Sequence, residues 1–220
     1  MRSGPLFYLI PGLGADERVF RRLQLVGTVR VLAWLPPLSA TESLAHYAAR
    51  LAEAVPVEEE CWLVGVSFGG ILAQEVARLR PLARVVLISS LASPAELPLT
   101  LRLGRATRLY HLFPPQLLKL MPRVAQWFFG ARNGAEYLLL HQILQDTDPV
   151  FAQWAIRQLL QWPGTAAARP AIRLHGSRDR LLPARGVPVE HCLARGGHFM
   201  IVSHAAEISR ILNHLAAAQT

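Results

Sequence analysis

Lysine is nearly missing from this 220-residue chain. Lys119 is the only one, so the 23 basic residues that outnumber 15 acidic ones and give a net charge of +8 are almost all arginine. Those arginines are scattered, with only Arg21 and Arg22 adjacent, and no basic stretch is interleaved with aromatic residues. That pattern argues against nucleic acid as a partner; the charge reads as solvated surface with a mild preference for anionic ligands. Cysteine is equally scarce. Cys61 and Cys192 make no disulfide framework, each sits beside apolar residues, and neither stands at metal-ligand spacing from a histidine. No metal is expected. Long apolar runs are absent too, which excludes a membrane-spanning helix. The start, MRSGPLFYLIPGLGAD, has a positive residue and a short apolar run, but Pro11 and Gly12 break it and no small-residue cleavage site follows. A cytoplasmic location is the expectation.

What is present is apolar: 52% hydrophobic residues against 17% charged, which suits a sheet covered on both faces. The length suggests one domain. Apolar strand patterns occur at 6–10, 29–34, 61–66, 84–89, 171–174 and, more weakly, 187–192. Helical patterns lie between them: Asp16 can cap one with Val19, Phe20 and Leu23 inward, and Ser39 with Glu42 has capping-box spacing before Leu44, Tyr47, Ala48, Leu51 and Val55. Ser203 is placed to cap a last helix carrying Ile208, Ile211, Leu212 and Leu215. Strand alternating with helix predicts an α/β fold on a parallel sheet, with ligands beyond the carboxyl ends of the strands. One stretch, 93–165, breaks the alternation. It has helical patterns separated by Pro114-Pro115, Pro122, Gly130, Gly134 and Pro163-Gly164, and no convincing strand.

The centre of the pattern is 61–79. A β-branched apolar run (Trp62, Leu63, Val64, Val66) passes through Gly65-Val66-Ser67-Phe68-Gly69, with Gly70 behind, into a helix carrying Ile71, Leu72, Val76 and Leu79. So abrupt a change of direction leaves no room for side chains beside the turn, and glycines two positions before and after Ser67 remove them. This strand, G-x-S-x-G turn and helix resembles the nucleophile elbow of the α/β-hydrolases. The resemblance implies an α/β-hydrolase-type, mostly parallel sheet of about six strands from which the leading antiparallel strands are missing. It also implies that 1–92 and 166–220 form the core, and that 93–165 is a helical cap inserted between the fourth and fifth strands.

The resemblance further assigns roles. Ser67 is the nucleophile, with Gly65 and Gly69 shaping its elbow. The run His175-Gly176-Ser177-Arg178-Asp179, followed by Pro183, is similar to the family's acid loop and points to Asp179. Gly196-Gly197-His198-Phe199 sits where the family carries its general base, which points to His198. The oxyanion donors are the backbone N–H of Phe68 and, in a loop similar to the family's H-G-x-G type but with Pro11 in place of the histidine, that of Leu13. Of the other histidines, His46, His204 and His214 fall on helical patterns, His111 and His141 belong to the cap, His175 helps shape the acid loop, and His191 is a distant rival base. Asp146-Thr147-Asp148-Pro149 reads as a structural helix start. The loop after the first strand, Gly12-Leu13-Gly14-Ala15-Asp16-Glu17, lacks a third glycine and places acids where a nucleotide phosphate would sit, so no cofactor is expected.

The expected function is that of a serine hydrolase acting on a small, largely apolar ester or thioester through an acyl-enzyme. A non-catalytic or slow ligand-binding or sensor protein on the same scaffold is the alternative. Related triad chemistries (peptidase, lactonase, C–C hydrolase, perhydrolase) also remain open.

Overall fold

A computed structural model describes residues 4–107, 121–165, 169–184 and 186–218. Six strands, β1 (Leu6–Ile10), β2 (Thr28–Val31), β3 (Cys61–Val66), β4 (Ala83–Ile88), β5 (Ile172–Gly176) and β6 (His191–Leu193), form one sheet in the order β2-β1-β3-β4-β5-β6. Every neighbouring pair is parallel, and the sheet has no antiparallel strand among the described residues. The helices are α1 (Leu44–Ala52), α2 (Phe68–Arg78), α3 (Leu99–Thr107), α4 (Pro122–Phe129), α5 (Gly134–Asp146), α6 (Pro149–Gln161), α7 (Met200–Ser203) and α8 (Ala205–Ala217). Among the described residues no helix is long and apolar enough to cross a membrane.

Side chains alternate across a strand with period two, and the core divides accordingly. Tyr8, Ile10, Leu63, Val85 and Leu87 join a cluster with α1 and α2 on one face. Phe7, Leu9, Trp62, Val64, Val86 and Ile88 join α7 and α8 on the other. β3 lies between β1 and β4 and is buried along its whole length, which is why its sequence is apolar without alternation.

The edges and caps depart from the sequence-based expectation. β2 stops at Val31, not at 34, because its only neighbour, β1, ends at Ile10, before Pro11; Leu32 N–H closes the ladder on the Leu9 carbonyl at 2.9 Å. β6, bordered only by β5, is reduced to three residues from the expected 187–192. β5 instead runs two residues further, carrying His175 and Gly176 in the ladder. Ser43, not Ser39, caps α1 through His46 N–H at 3.2 Å. Glu42 is turned back onto Leu38 N–H at 2.7 Å and held by Arg50 at 2.9 Å. Asp16 caps a single 3-10 turn, Glu17–Phe20, rather than a full helix, since the chain must already turn back to begin β2. Ser203 ends α7 instead of capping α8, and its hydroxyl is bonded to the neighbouring His204 ring at 2.8 Å.

Between β4 and β5 the described residues contain helices and no strand; Pro114 and Pro115 lie outside the described residues. These helices have no separate core. Phe151, Trp154, Ala155 and Leu160 of α6 join the first cluster, while Leu140 and Ile143 of α5 join the second. Trp154 lies 4.4 Å from the Tyr47 ring, centroid to centroid, and its indole N–H donates to the Glu42 carbonyl at 2.9 Å. Because Trp154 is only 2% exposed, Trp154→Ala leaves a cavity and takes one of two donors from the Glu42 carbonyl, which keeps Gln158 Nε2 at 3.1 Å. A loss of about 3–5 kcal/mol is expected in urea unfolding; a loss under about 1 kcal/mol would show that α6 is not integral to the core.

Candidate active site

β3 hands its last residue directly to α2 through Ser67, whose backbone sits at φ 52° and ψ −121°. A non-glycine residue in that region is strained by about 1–3 kcal/mol, so its neighbours must hold it. Ser67 N–H donates to the Ile88 carbonyl at 2.9 Å, and the Ser90 hydroxyl donates to the Ser67 carbonyl at 2.6 Å. Both partners come from the end of β4. The glycines are required by close approach: a Cβ on Gly65 would meet the backbone of Gly69 and Gly70, and one on Gly69 would meet the carbonyl oxygens of Ile10 and Pro11.

The loop after β1 passes the same point. A Cβ on Gly12 would stand 3.5 Å from the Cβ of Ser67, and Ala15 N–H closes a turn on the Gly12 carbonyl at 2.9 Å. Leu13 occupies that turn. Phe68 is the first residue of α2 and no side chain caps that end, so its N–H lies at the helix's positive terminus. The loop is tied down from outside: the Thr147 hydroxyl, 2.7 Å from the Ile143 carbonyl of its own helix, shares its proton with the Gly14 carbonyl at 3.1 Å, and Asp146 pairs with Arg18 at 2.7 Å. The segment around Thr147, read from sequence as a helix start only, does cap α6 through Asp148, but it also clamps this loop.

Asp179 and His198 arrive from the far side of the sheet on two loops braced against each other. Ser177 N–H donates to the Leu193 carbonyl at 3.0 Å and Arg178 N–H to the Gly196 carbonyl at 2.8 Å. A Cβ on Gly176 would strike Gly196. One oxygen of Asp179 accepts the N–H groups of Leu181 and Leu182 at 3.0 and 2.9 Å. The other lies 2.8 Å from His198 Nδ1 and 3.4 Å from His175 Nε2. His198 Nε2 is 3.0 Å from Ser67 Oγ. An ionised carboxylate only accepts, so His198 Nδ1 donates to it; in the neutral ring Nε2 is then left to accept the Ser67 proton. Burial by itself would push the Asp179 carboxyl up. The charge of His198, the hydrogen bonds from His175 and His198 and the Leu182 amide outweigh it and hold the group well below the ordinary carboxylate range. All three side chains are nearly closed off from solvent, and the Phe129 ring stands edge-on to His198 at 5.5 Å.

Among the described residues no other histidine hydrogen-bonds to Ser67. His191 is in β6 in register with Leu174, His46 pairs with Glu42, and His141 lies against Tyr137. His214 is in the last turn of α8. His111 lies outside the described residues. Cys61 is buried, and burial, reinforced by the charge of Glu59, pushes its thiol up to about 11, too high for a nucleophile at neutral pH. Among the described residues no three His, Cys, Asp or Glu side chains group to hold a metal ion. Ser90 and Phe129 were not singled out from sequence. Ser89-Ser90, two polar residues closing an apolar strand, is the signal that marks the first.

A family model described as "Alpha/beta hydrolase family" matches residues 7–211, nearly the whole chain. The chain belongs to the alpha/beta hydrolase family. Solved structures of similar fold include a carboxylesterase from the ammonia-oxidising thaumarchaeon Nitrososphaera gargenis (TM-score 0.74, 16% identity, 99% of this chain and 91% of that one). A thermophilic esterase from Thermogutta terrifontis matches at TM-score 0.68 and 17% identity, over 98% and 90% of the two chains. A hydrolase from Oleispira antarctica gives TM-score 0.68 and 17% identity, over 98% and 93%. At such identities the likeness concerns the fold of this hydrolase-family chain. No curated protein matches it.

A carboxyl held below its unfolded value adds stability that is fully present above the unfolded pKa and is lost as pH falls through the folded one. The stability of the wild-type chain relative to Asp179→Asn is therefore greatest above about pH 4 and shrinks on further acidification. Urea titrations of both proteins at several pH values check this, and a difference that stays constant from about pH 6 to pH 2 contradicts it.

Proposed function

We propose that the protein is a serine hydrolase that cleaves an ester or thioester of a small, largely apolar acyl substrate. The observation that carries this reading is the chain of short contacts from Asp179 through His198 to Ser67 Oγ, 2.8 and 3.0 Å long, at the carboxyl end of the central strand. A serine hydroxyl needs a base at hydrogen-bond distance to become a nucleophile. Ser67 Oγ attacks the carbonyl carbon while His198 Nε2 takes its proton, and Asp179 fixes the ring tautomer and stabilises the imidazolium. The carbonyl oxygen, now an anion, is met by the N–H groups of Phe68 and Leu13. On collapse the C–O or C–S bond breaks, His198 returns its proton to the leaving group, and an acyl-Ser67 remains. Water, deprotonated by the same ring, attacks that ester and releases the acid. The residues at 93–165 act as a helical cap in this reading: Phe129 closes over His198, and the apolar inserted helices favour an apolar acyl group.

Ser67→Ala should lower kcat/KM on p-nitrophenyl acyl esters at least about a thousandfold without loss of folding. Equal rates for the two proteins would sink the proposal. Failure of a fluorophosphonate probe to label Ser67 in the folded chain would favour a ligand-binding protein on the same scaffold. The pH profile supplies a separate check. With Asp179 held ionised, the acid limb of kcat/KM should follow the uptake of a single proton. A limb of slope two would mean that the carboxylate also titrates in the working range.

A further inference from the structure

Five arginines gather beside the site where the proposed reaction has no use for them. Arg178 and Arg180 flank Asp179, Arg195 precedes Gly196-Gly197-His198, and Arg123 and Arg132 belong to α4 and the turn after it. Together with Trp127 they line an open cleft of about 450 Å³, and a neighbouring hollow of about 400 Å³ shares Arg123 and Arg132. No carboxylate lines either one.

Nor is their charge met elsewhere. Arg18, Arg50, Arg78 and Arg173 each pair with an aspartate or glutamate. None of the five cleft arginines does so among the described residues, which contain every Asp and Glu of the sequence. The acid nearest in sequence to Arg132, Glu136, is buried, with its oxygens accepting Arg132 N–H at 2.7 Å and Asn133 Nδ2 at 2.8 Å. Asp179 is turned inward to His198.

One guanidinium, that of Arg180, and the backbone of Arg195 are also held in place. Arg180 donates to the Trp127 carbonyl at 3.0 Å while its guanidinium lies 4.5 Å over the indole. Arg195 holds a left-handed backbone, φ 62°, that favours glycine, with its N–H on the Ser177 hydroxyl at 2.9 Å. Like charges crowded around one hollow repel each other, and an anion placed between them removes that cost. Guanidinium forks match the paired oxygens of a phosphoryl group, and a charge excess of this size suits an anion bearing more than one negative charge.

The geometry points to a phosphoryl-anion site in this cleft, held by Arg123, Arg132, Arg178, Arg180 and Arg195 and distinct from Ser67. The phosphoryl group belongs either to a free small molecule or to a lipid headgroup; exposed Trp127 lines the cleft, and Val124 and Phe128 of the same helix are exposed as well. The site is independent of the reading of Ser67, because binding there needs no turnover.

The test titrates the full chain with inorganic pyrophosphate by calorimetry, against sodium chloride at equal ionic strength. In parallel, the chain is sedimented with phosphatidylcholine vesicles that contain or lack phosphatidic acid. Two double variants, Arg178→Gln with Arg195→Gln and Arg123→Gln with Arg132→Gln, remove exposed charges from different elements; thermal melts and fluorophosphonate labelling of Ser67 should be unchanged in both. Saturable binding is expected, weakened about tenfold or more by each pair. Pyrophosphate binding assigns a free phosphoryl ligand; binding only to vesicles with phosphatidic acid assigns a headgroup. No saturable binding in either arm, binding that chloride reproduces, or binding that either pair leaves intact would overturn the assignment.

Discussion

One residue with an unfavourable backbone organises the molecule. Ser67 sits at φ 52° and ψ −121°, a conformation that an L-residue keeps only where its surroundings over-determine it. Three adjacent strands supply those surroundings. β3 delivers the residue, the end of β4 binds both of its peptide groups through Ile88 and Ser90, and the loop after β1 closes on it at Gly12. A parallel sheet brings all three strand ends to the same edge, so the strain is held by the part of the fold least able to move. The central position of β3, buried along its length, is therefore a condition of the site as well as of the core.

The opposite half of the site is held by different means. Asp179 and His198 sit on loops after edge-proximal strands, one of them only three residues long. Such strands fix little by themselves. The rigidity comes from loop-to-loop bonds, Ser177 to Leu193 and Arg178 to Gly196, and from the end of α4, where the Phe129 carbonyl accepts Phe199 N–H at 2.8 Å. The inserted helices thus take part in placing the imidazole. On the other flank, Thr147 and Asp146 hold the loop after β1.

The sequence makes some of this visible and conceals the rest for identifiable reasons. The succession of strands along the chain, the parallel sheet and the G-x-S-x-G turn are legible because they rest on local signals: apolar runs and glycine spacing. The positions of Asp179 and His198 were legible only by resemblance; nothing in the local residues says that two loops 19 positions apart will meet a serine 131 positions from the second. Edge strands were overestimated, since β-branched runs such as 29–34 keep their propensity after the neighbouring strand has ended. Caps were misplaced by a few residues where a tertiary partner competes. Ser39 and Glu42 have the right spacing, but Arg50 and Leu38 claim the Glu42 carboxylate. The Ser89-Ser90 pair marks a position but not the partner of its hydroxyl, and the Thr147 clamp carries no local signal at all.

The closure of the site follows from the same contacts that build it. Ser67, Asp179 and His198 are 8%, 6% and 4% exposed. A water-excluded imidazole–carboxylate pair gains strength from the low local dielectric, and the Asp179 carboxyl stays ionised there because four groups donate to it or attract it. In the proposed reaction, however, a substrate must displace part of what closes off Ser67. The sheet-borne neighbours are fixed by ladder bonds and buried strands, whereas His198 and the loop after β1 are also held by helix ends: Phe129 at the close of α4 and Thr147 between α5 and α6. In that reading, the helix ends beside the path of a substrate are also the ones that position the His198 ring and the loop after β1. Access and geometry in this protein are set by one group of contacts.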